Sequence, residues 1–116
     1  MKATHCLFLG WNRAVPGHEK NSMEIFEGFL GYLGKLENDK KILNYEPVML
    51  NAHGGDMNGF VLIRGTEEDL HKVTTTDDWQ NWMVQGWMTM QGFGLIRGVM
   101  GDEMKTRMKR FQKYIK

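Results

Sequence analysis

The sequence predicts an α+β fold in which four antiparallel strands form one sheet with helices on one face. The first observation behind this prediction is the order of the patterns along the chain: strand, helix, strand, strand, helix, strand, helix. The second is the segment 42–65, where two apolar runs flank a polar loop with glycines, as in a long β-hairpin. The length of 116 residues fits a single domain, residues 1–116, with its own core.

The first strand and the first helix are separated by a turn. Residues 4–12 predict a strand that is apolar on both faces, so we expect both faces to be covered. Pro16 and Gly17 mark the turn. Residues 18–38 predict a helix with a broad apolar stripe at three- and four-residue spacing. Glycine inside a helix lowers its stability by about 1 kcal/mol relative to alanine, so close packing is expected at the glycines of this stripe. They are Gly28, Gly31 and Gly34.

The hairpin strands, residues 42–50 and 60–65, are followed by two helix starts. Thr66 and Asp69 have the spacing of a capping box, which predicts a short helix through Val73. The segment 75–78 resembles a second helix start, where two carboxylates are favoured by the helix dipole. Residues 79–90 then carry Trp and Met at helical spacing, the most strongly amphipathic pattern in the chain.

The last two elements are a strand at residues 93–100 and a helix at 102–114. Alternation places Gly94 and Gly98 on one face of the strand and Arg97 on the other. Since small residues allow close approach, we expect the glycines to face the helices. The final helix has a basic side, interpreted as solvated, with an anionic partner as the alternative. Its apolar side consists of Met104, Met108, Phe111 and Ile115.

This order of elements corresponds to the split βαβ, or ferredoxin-like, arrangement βαββαβ with an added C-terminal helix. Its helices cover one face of the sheet, whereas the strands are apolar on both faces. A second copy of the chain, packed sheet against sheet, is the economical cover for the other face. The sequence therefore predicts a homodimer.

The element order and several short motifs resemble the dimeric α+β barrel superfamily of ferredoxin-like proteins, over about residues 4–100. The segment from Tyr32 to Trp79 is most similar to the YCII-related branch of this superfamily. The histidine expected in the first helix of that branch falls at Phe29 here, so the His/Asp pair of that branch does not carry over. The resemblance implies a homodimer with a pocket between sheet and helices. It also implies the superfamily's range of activities, from cofactor-free oxygenases and isomerases to ligand sensors. The motifs are Pro16-Gly17, Tyr32-Leu33, Leu36, Ile42, Glu46-Pro47, Gly59-Phe60, Gly65-Thr66 and Asp78-Trp79.

Composition limits the partners and the compartment. The net charge of +1 gives no general attraction to nucleic acid or to an anionic membrane. The single cysteine, Cys6, cannot form an internal disulfide, which fits the cytoplasm. No phosphate-binding loop, dinucleotide glycine motif or nucleophile elbow occurs. We therefore expect a cytoplasmic protein with no nucleic-acid or membrane partner, no cofactor and no metal.

Three residues are candidates for catalysis. His53 and Asp56 share a glycine-rich loop, where the carboxylate can orient the imidazole for proton transfer. The alternatives are a metal site shared with His5 or His18, and a purely structural polar turn. Asn12, at the end of the first strand, can stabilise a developing oxyanion.

Four further residues are candidates for ligand binding. Trp11 and Trp82 can stack on a planar molecule, although Trp residues in an apolar stripe usually belong to the core. Arg64 and Arg97 interrupt apolar strands and can hold a carboxylate or an enolate. The alternative for the arginines is an ion pair, with Glu46 as the expected partner of Arg64.

Together these residues favour a small pocket protein that binds a planar organic molecule. One hypothesis is cofactor-free oxygenation or isomerisation, with His53 as the base. The alternatives are a non-catalytic binding or sensing module, and a purely structural dimer. A pocket that contains polar groups would favour the first, an apolar pocket the second, and a filled core the third.

Overall fold

The computed structural model describes residues 2–115, and Lys116, predicted in the basic side of the last helix, lies outside them. The described residues form four strands and four helices in the predicted order, which confirms the ferredoxin-like α+β fold. The elements are β1 His5–Trp11, α1 Glu19–Asn38, β2 Asn44–Met49, β3 Gly59–Gly65, α2 Glu67–Thr74, α3 Asp77–Thr89, β4 Gly94–Val99 and α4 Gly101–Gln112.

The sheet is antiparallel, with the strand order β2-β3-β1-β4. Leu9 of the central strand β1 lies opposite Val61 on one side and Leu95 on the other. The core lies between this face of the sheet and the helices, and Leu9, Val61 and Leu33 are almost completely buried there. This apolar layer explains why α1 and α3, whose apolar sides face it, pack on one face of the sheet.

The two helix starts predicted after the hairpin are confirmed by their caps. The hydroxyl of Thr66 accepts a hydrogen bond from the backbone N–H of Asp69 at 3.1 Å. The hydroxyl of Thr76 accepts one from the backbone N–H of Trp79 at 3.3 Å. Each hydroxyl satisfies a backbone donor that has no partner inside its helix, which fixes where the helix begins.

The other face of the sheet, called the open face, is apolar at its centre. Phe8 and Phe60 stack there with ring centroids 4.8 Å apart, and Ile96 is 62% exposed. An antiparallel sheet with one solvated face normally carries polar residues on that face. By strand alternation, the open face consists of Cys6, Phe8, Gly10, Asn44, Glu46, Val48, Phe60, Leu62, Arg64, Gly94, Ile96 and Gly98.

The predicted orientation of β4 is wrong. Arg97 lies opposite Leu7, on the helix side, and its guanidinium donates to the hydroxyl of Thr74 at 2.9 Å. Gly94 and Gly98 therefore belong to the open face. Because β4 is an edge strand, the arginine can extend past the core to the end of α2 and reach solvent. A β-carbon at Gly94 would meet no atom within 4 Å, so the overpacking expected for Gly94→Val has no basis within one protomer.

Helix α4 stands apart from the rest of the molecule. None of its residues is buried. The radius of gyration is 15.9 Å and the longest dimension is 52 Å, whereas a compact domain of this length has a radius of gyration of about 13 Å. Among residues 2–115, no helix has the length and apolar character needed to cross a bilayer.

Candidate functional site

A small cavity, called the aromatic cavity, lies between the helix side of the sheet and helices α1 and α3. Its volume is about 30 Å³, the space of roughly one water molecule. The side chains around it are apolar and include five aromatic rings. The lining residues are Leu9, Trp11, Ile25, Phe26, Phe29, Val61, Trp82, Met83, Gly86, Met90 and Phe93.

Trp11 is part of the wall of the aromatic cavity. Its indole lies against Gly59, where a β-carbon would come within 2.5 Å of the ring, so a glycine at this position makes room for the indole. The ring packs edge-on against Phe26 with centroids 5.3 Å apart. Trp11 is 8% exposed, which places it in the core and in the cavity wall at the same time.

Trp82 forms another part of the wall and explains one of the glycines in α1. A β-carbon at Gly28 would lie 2.7 Å from the Trp82 ring, so the close approach predicted there is confirmed. A β-carbon at Gly31 would meet no atom within 4 Å, so the close approach predicted at that position is wrong. Trp82 also packs against Phe29 and Tyr32, each with centroids 6.0 Å away. Burial raises the pKa of the Tyr32 hydroxyl, which keeps it protonated.

Asn12 ties the end of β1 to the hairpin loop. Its side-chain oxygen accepts a hydrogen bond from the Asn58 amide at 2.7 Å, and its backbone N–H donates to Gln91 O at 2.9 Å. The backbone N–H of Asn58 donates to Trp11 O at 2.9 Å. These bonds hold two side-chain amides next to the Trp11 end of the aromatic cavity, although Asn12 is outside its lining.

His53 and Asp56 lie in the exposed loop between β2 and β3. Nδ1 of His53 is 3.0 Å from Asn51 O. Since a carbonyl oxygen only accepts hydrogen bonds, this contact requires the proton on Nδ1, which leaves Nε2 as an acceptor in the neutral ring. Met57 in the same loop packs over Gly10, at 2.9 Å from the position a β-carbon would take there. The loop therefore contacts the open face through Met57, whereas the aromatic cavity lies on the other side of the sheet.

Arg64 lies on the open face with the partner expected from the sequence. Its guanidinium donates to the Asn44 side-chain oxygen at 3.1 Å and to Glu46 Oε2 at 3.4 Å. Cys6 is opposite Arg64 across the strands. Burial raises the pKa of the Cys6 thiol, so it stays protonated and unreactive near neutral pH.

Arg97 lines a wide crevice of about 1060 Å³ at the opposite end of β1 from Trp11. The crevice lies between α2, β4 and α4, and it also contains His5, whose Nε2 is 3.7 Å from Glu67 Oε2. Sequence reasoning missed this crevice because its walls come from segments that only the tertiary fold brings together. The charged residues that line it from the two helices are Arg107 of α4 and Glu67, Glu68 and Lys72 of α2.

The predicted site residues therefore fall into separate groups. Trp11 and Trp82 share the aromatic cavity, and Asn12 is beside it. Arg97 pairs with Leu7 across the strands, and Leu7 is about 13 Å along β1 from Trp11. Arg64, His53 and Asp56 are on the open face or in its loop, so the seven residues do not surround one pocket within a protomer. In residues 2–115, no three His, Cys, Asp or Glu side chains meet as metal ligands.

Sequence reasoning missed Phe26, Met90 and Phe93 as cavity residues, because only tertiary packing joins them.

Solved structures that are similar to this chain in fold include the following three. A dimeric ferredoxin-like protein of unknown function from Thermobifida fusca YX aligns with a TM-score of 0.61 and 12% identity, covering 86% of this chain and 94% of its own. A dimeric protein of unknown function and ferredoxin-like fold from Bacteroides fragilis NCTC 9343 gives 0.59 and 11%, covering 83% and 96%. SnoaB, a cofactor-independent oxygenase from Streptomyces nogalater, gives 0.52 and 10%, covering 85% and 93%.

These similarities support the ferredoxin-like fold and not a particular activity, because the identities are between 10% and 12%. No family model matches the sequence, and the curated proteins contain no match to it.

Proposed function

We propose that this chain forms a homodimer through its open face and that each protomer binds a small, planar, neutral molecule in the aromatic cavity. The observation that carries the proposal is the cavity wall, in which five aromatic rings enclose a space with apolar lining. Aromatic rings bind flat apolar molecules by offset or edge-on stacking. Without charged groups in the lining, such a site favours a neutral molecule over an anion.

The dimer part of the proposal is supported by the open face. Phe8, Phe60 and Ile96 make its centre apolar, and a patch of this kind usually marks an interface. The similar proteins from Thermobifida fusca and Bacteroides fragilis are both described as dimeric. We also propose that this chain is a member of the dimeric α+β barrel superfamily, nearest to the YCII-related branch. It is supported by the element order and by the helix start at Asp78 and Trp79.

The ligand part requires the aromatic cavity to expand. Its volume of about 30 Å³ is roughly a tenth of the smallest common ligand pockets. Met83 and Met90 are in its wall, and unbranched methionine side chains adapt to changes of shape at low cost. A planar ligand would enter by moving these two side chains while the rings of Trp11 and Trp82 flank it.

A variant that partly fills the aromatic cavity tests this proposal. Val61→Ile adds one methylene group to the cavity wall, and Val99→Ile adds the same group in β4 outside it. We expect naphthalene and 1,4-naphthoquinone to quench Trp fluorescence saturably in the wild type and in Val99→Ile. In Val61→Ile we expect affinity to fall about tenfold or more, because the ligand and the methylene group compete for one space. Equal binding by the two variants would contradict binding in the aromatic cavity, and no binding by the wild type would remove the ligand part of the proposal.

Proton-transfer chemistry is a second candidate, favoured by the tautomer of His53, whose Nε2 is available as a base. In this scheme Asn12, which accepts a hydrogen bond from Asn58 of the same loop, stabilises an oxyanion. Asn51 O, hydrogen-bonded to Nδ1 of His53, takes the orienting role expected of Asp56. The two arginines take no part, because Arg97 is on the helix side and Arg64 is near the end of β3 away from this loop. Since His53 is in the exposed loop, whose Met57 packs on the open face, the substrate would be held at this loop and not in the aromatic cavity. With a panel of planar phenols, His53→Ala should lower turnover about 10²–10⁴-fold and leave binding nearly unchanged. Equal turnover in both proteins would remove this candidate.

A further inference from the structure

We infer that α4 is a docking helix for a second copy of this chain, on which its apolar stripe packs beside the stacked sheets. The inference rests on the homodimer of the proposed function and adds a second contact to it. The apolar stripe of α4 and of the residues that follow it consists of Met104, Met108, Phe111 and Ile115.

The stripe is narrow and exposed. At about 100° per residue, its three helical members, Met104, Met108 and Phe111, fall within an arc of about 60° around the helix axis, and Ile115 follows the end of the helix at Gln112. Their exposed fractions rise along the helix, from 45% at Met104 through 52% at Met108 and 67% at Phe111 to 73% at Ile115. A continuous apolar stripe of this kind is typical of a helix that packs against another surface.

The stripe does not face the protomer to which it belongs. Arg107 is on the side of α4 that lines the crevice against α2 and β4. Glu103, one turn earlier on the same side, is the one residue of α4 that is partly buried. Both are about a quarter turn away from the centre of the stripe. A polar side of α4 therefore faces its own subunit, and the apolar stripe is turned about a quarter turn from that side and is exposed.

The stability of α4 points to a missing contact. A helix of 12 residues is marginal in water unless an apolar face is packed against other structure. Within its own protomer no residue of α4 is buried. A partner surface would supply the packing that the helix lacks.

The size of the open face leaves room for a second contact in the homodimer. Strands of six or seven residues, four strands wide, give a flat area of about 20 × 19 Å, or about 400 Å². A stable interface buries about 800 Å² on each partner. Helix α4 begins directly after β4, the strand that carries Ile96 on the open face, so a partner subunit seated on that face would lie next to α4.

A matched pair of variants tests the inference. Met108→Lys places a lysine in the apolar stripe, whereas Thr106→Lys places one on the far side of the same helix. Met and Lys have similar helix propensities, so Met108→Lys should keep α4 helical. By sedimentation velocity, we expect Met108→Lys to raise the dimer dissociation constant about tenfold or more, because a charge replaces a buried apolar contact. Thr106→Lys should match the wild type.

The open-face variant Ile96→Lys separates this inference from the proposed function. If Ile96→Lys dissociates the dimer and Met108→Lys behaves as Thr106→Lys, the sheet-face dimer stands and the role of α4 is refuted. If the wild-type chain is monomeric, the role of α4 and the dimer part of the proposed function are both refuted.

Hydrogen exchange on the wild-type chain gives a second test that needs no variant. We expect the amides of residues 104–112 to be protected when the protein is dimeric and to lose that protection on dilution below the dissociation constant. Rapid exchange of these amides in the dimer would overturn the inference.

Discussion

Gly28 and Gly31 are three residues apart in α1, and their surroundings differ. A β-carbon at Gly28 would come within 2.7 Å of the Trp82 ring, whereas one at Gly31 would meet nothing within 4 Å. Gly31→Ala should therefore stabilise the protein by about 0.5–1 kcal/mol through helix propensity. Gly28→Ala gains the same propensity, but overpacking against a ring held by Phe29 and Tyr32 costs about 1–3 kcal/mol. Urea midpoints should move in opposite directions for the two variants. If both rise, the Trp82 ring yields easily and the contact is loose.

At the residue scale, the sequence predicted contacts that depend on spacing along one or two neighbouring elements. The Arg64–Glu46 pair follows from adjacent strands, and the contact at Gly28 follows from a glycine in an apolar helix stripe. The face of Arg97 could not be predicted in the same way. Alternation requires Arg97 to oppose Gly94 and Gly98, but a strand that is apolar on both sides does not indicate which side meets the helices. The separation of His53 from the aromatic cavity depends on how Met57 packs over Gly10, which is a tertiary contact.

At the element scale, the caps of α2 and α3 offer a direct test of why those helices begin where they do. Thr66→Ala removes the acceptor for the Asp69 N–H and should destabilise the protein by about 1 kcal/mol. Thr66→Ser keeps the hydroxyl and should recover most of this loss. Thermal unfolding of the two variants beside the wild type measures both effects. A Thr66→Ala variant that melts with the wild type would show that packing of Leu70 and Val73, and not the cap, sets the start of α2.

The bounds of the elements were largely predictable, because hydrophobic period and helix caps are local signals. Helix α1 begins one residue after its predicted start, and α3 begins within the predicted start segment, directly after the Thr76 cap. The place of α4 was not predictable from the same signals. Its apolar stripe indicates that it packs on something, but a stripe does not identify the surface that receives it.

At the scale of the whole molecule, three features lead to the same expectation. The open face is apolar at Phe8, Phe60 and Ile96, α4 carries an exposed apolar stripe, and the radius of gyration of 15.9 Å exceeds that of a compact domain. The two exposed apolar surfaces are unfavourable for an isolated protomer in water, and one partner subunit would cover both. The doubly apolar strands predict the proposed homodimer from the sequence alone, whereas the aromatic cavity depends on how α1 and α3 meet the sheet.

The molar mass in solution tests the central claim most directly. Multi-angle light scattering on the wild-type chain at micromolar concentration should give about 27 kDa, twice the 13.5 kDa of one chain. Ile96→Lys, with a charge at the centre of the open face, should shift the mass toward that of one chain. A wild-type mass of 13.5 kDa across this concentration range would contradict the homodimer, and a dimeric Ile96→Lys variant would contradict the use of the open face.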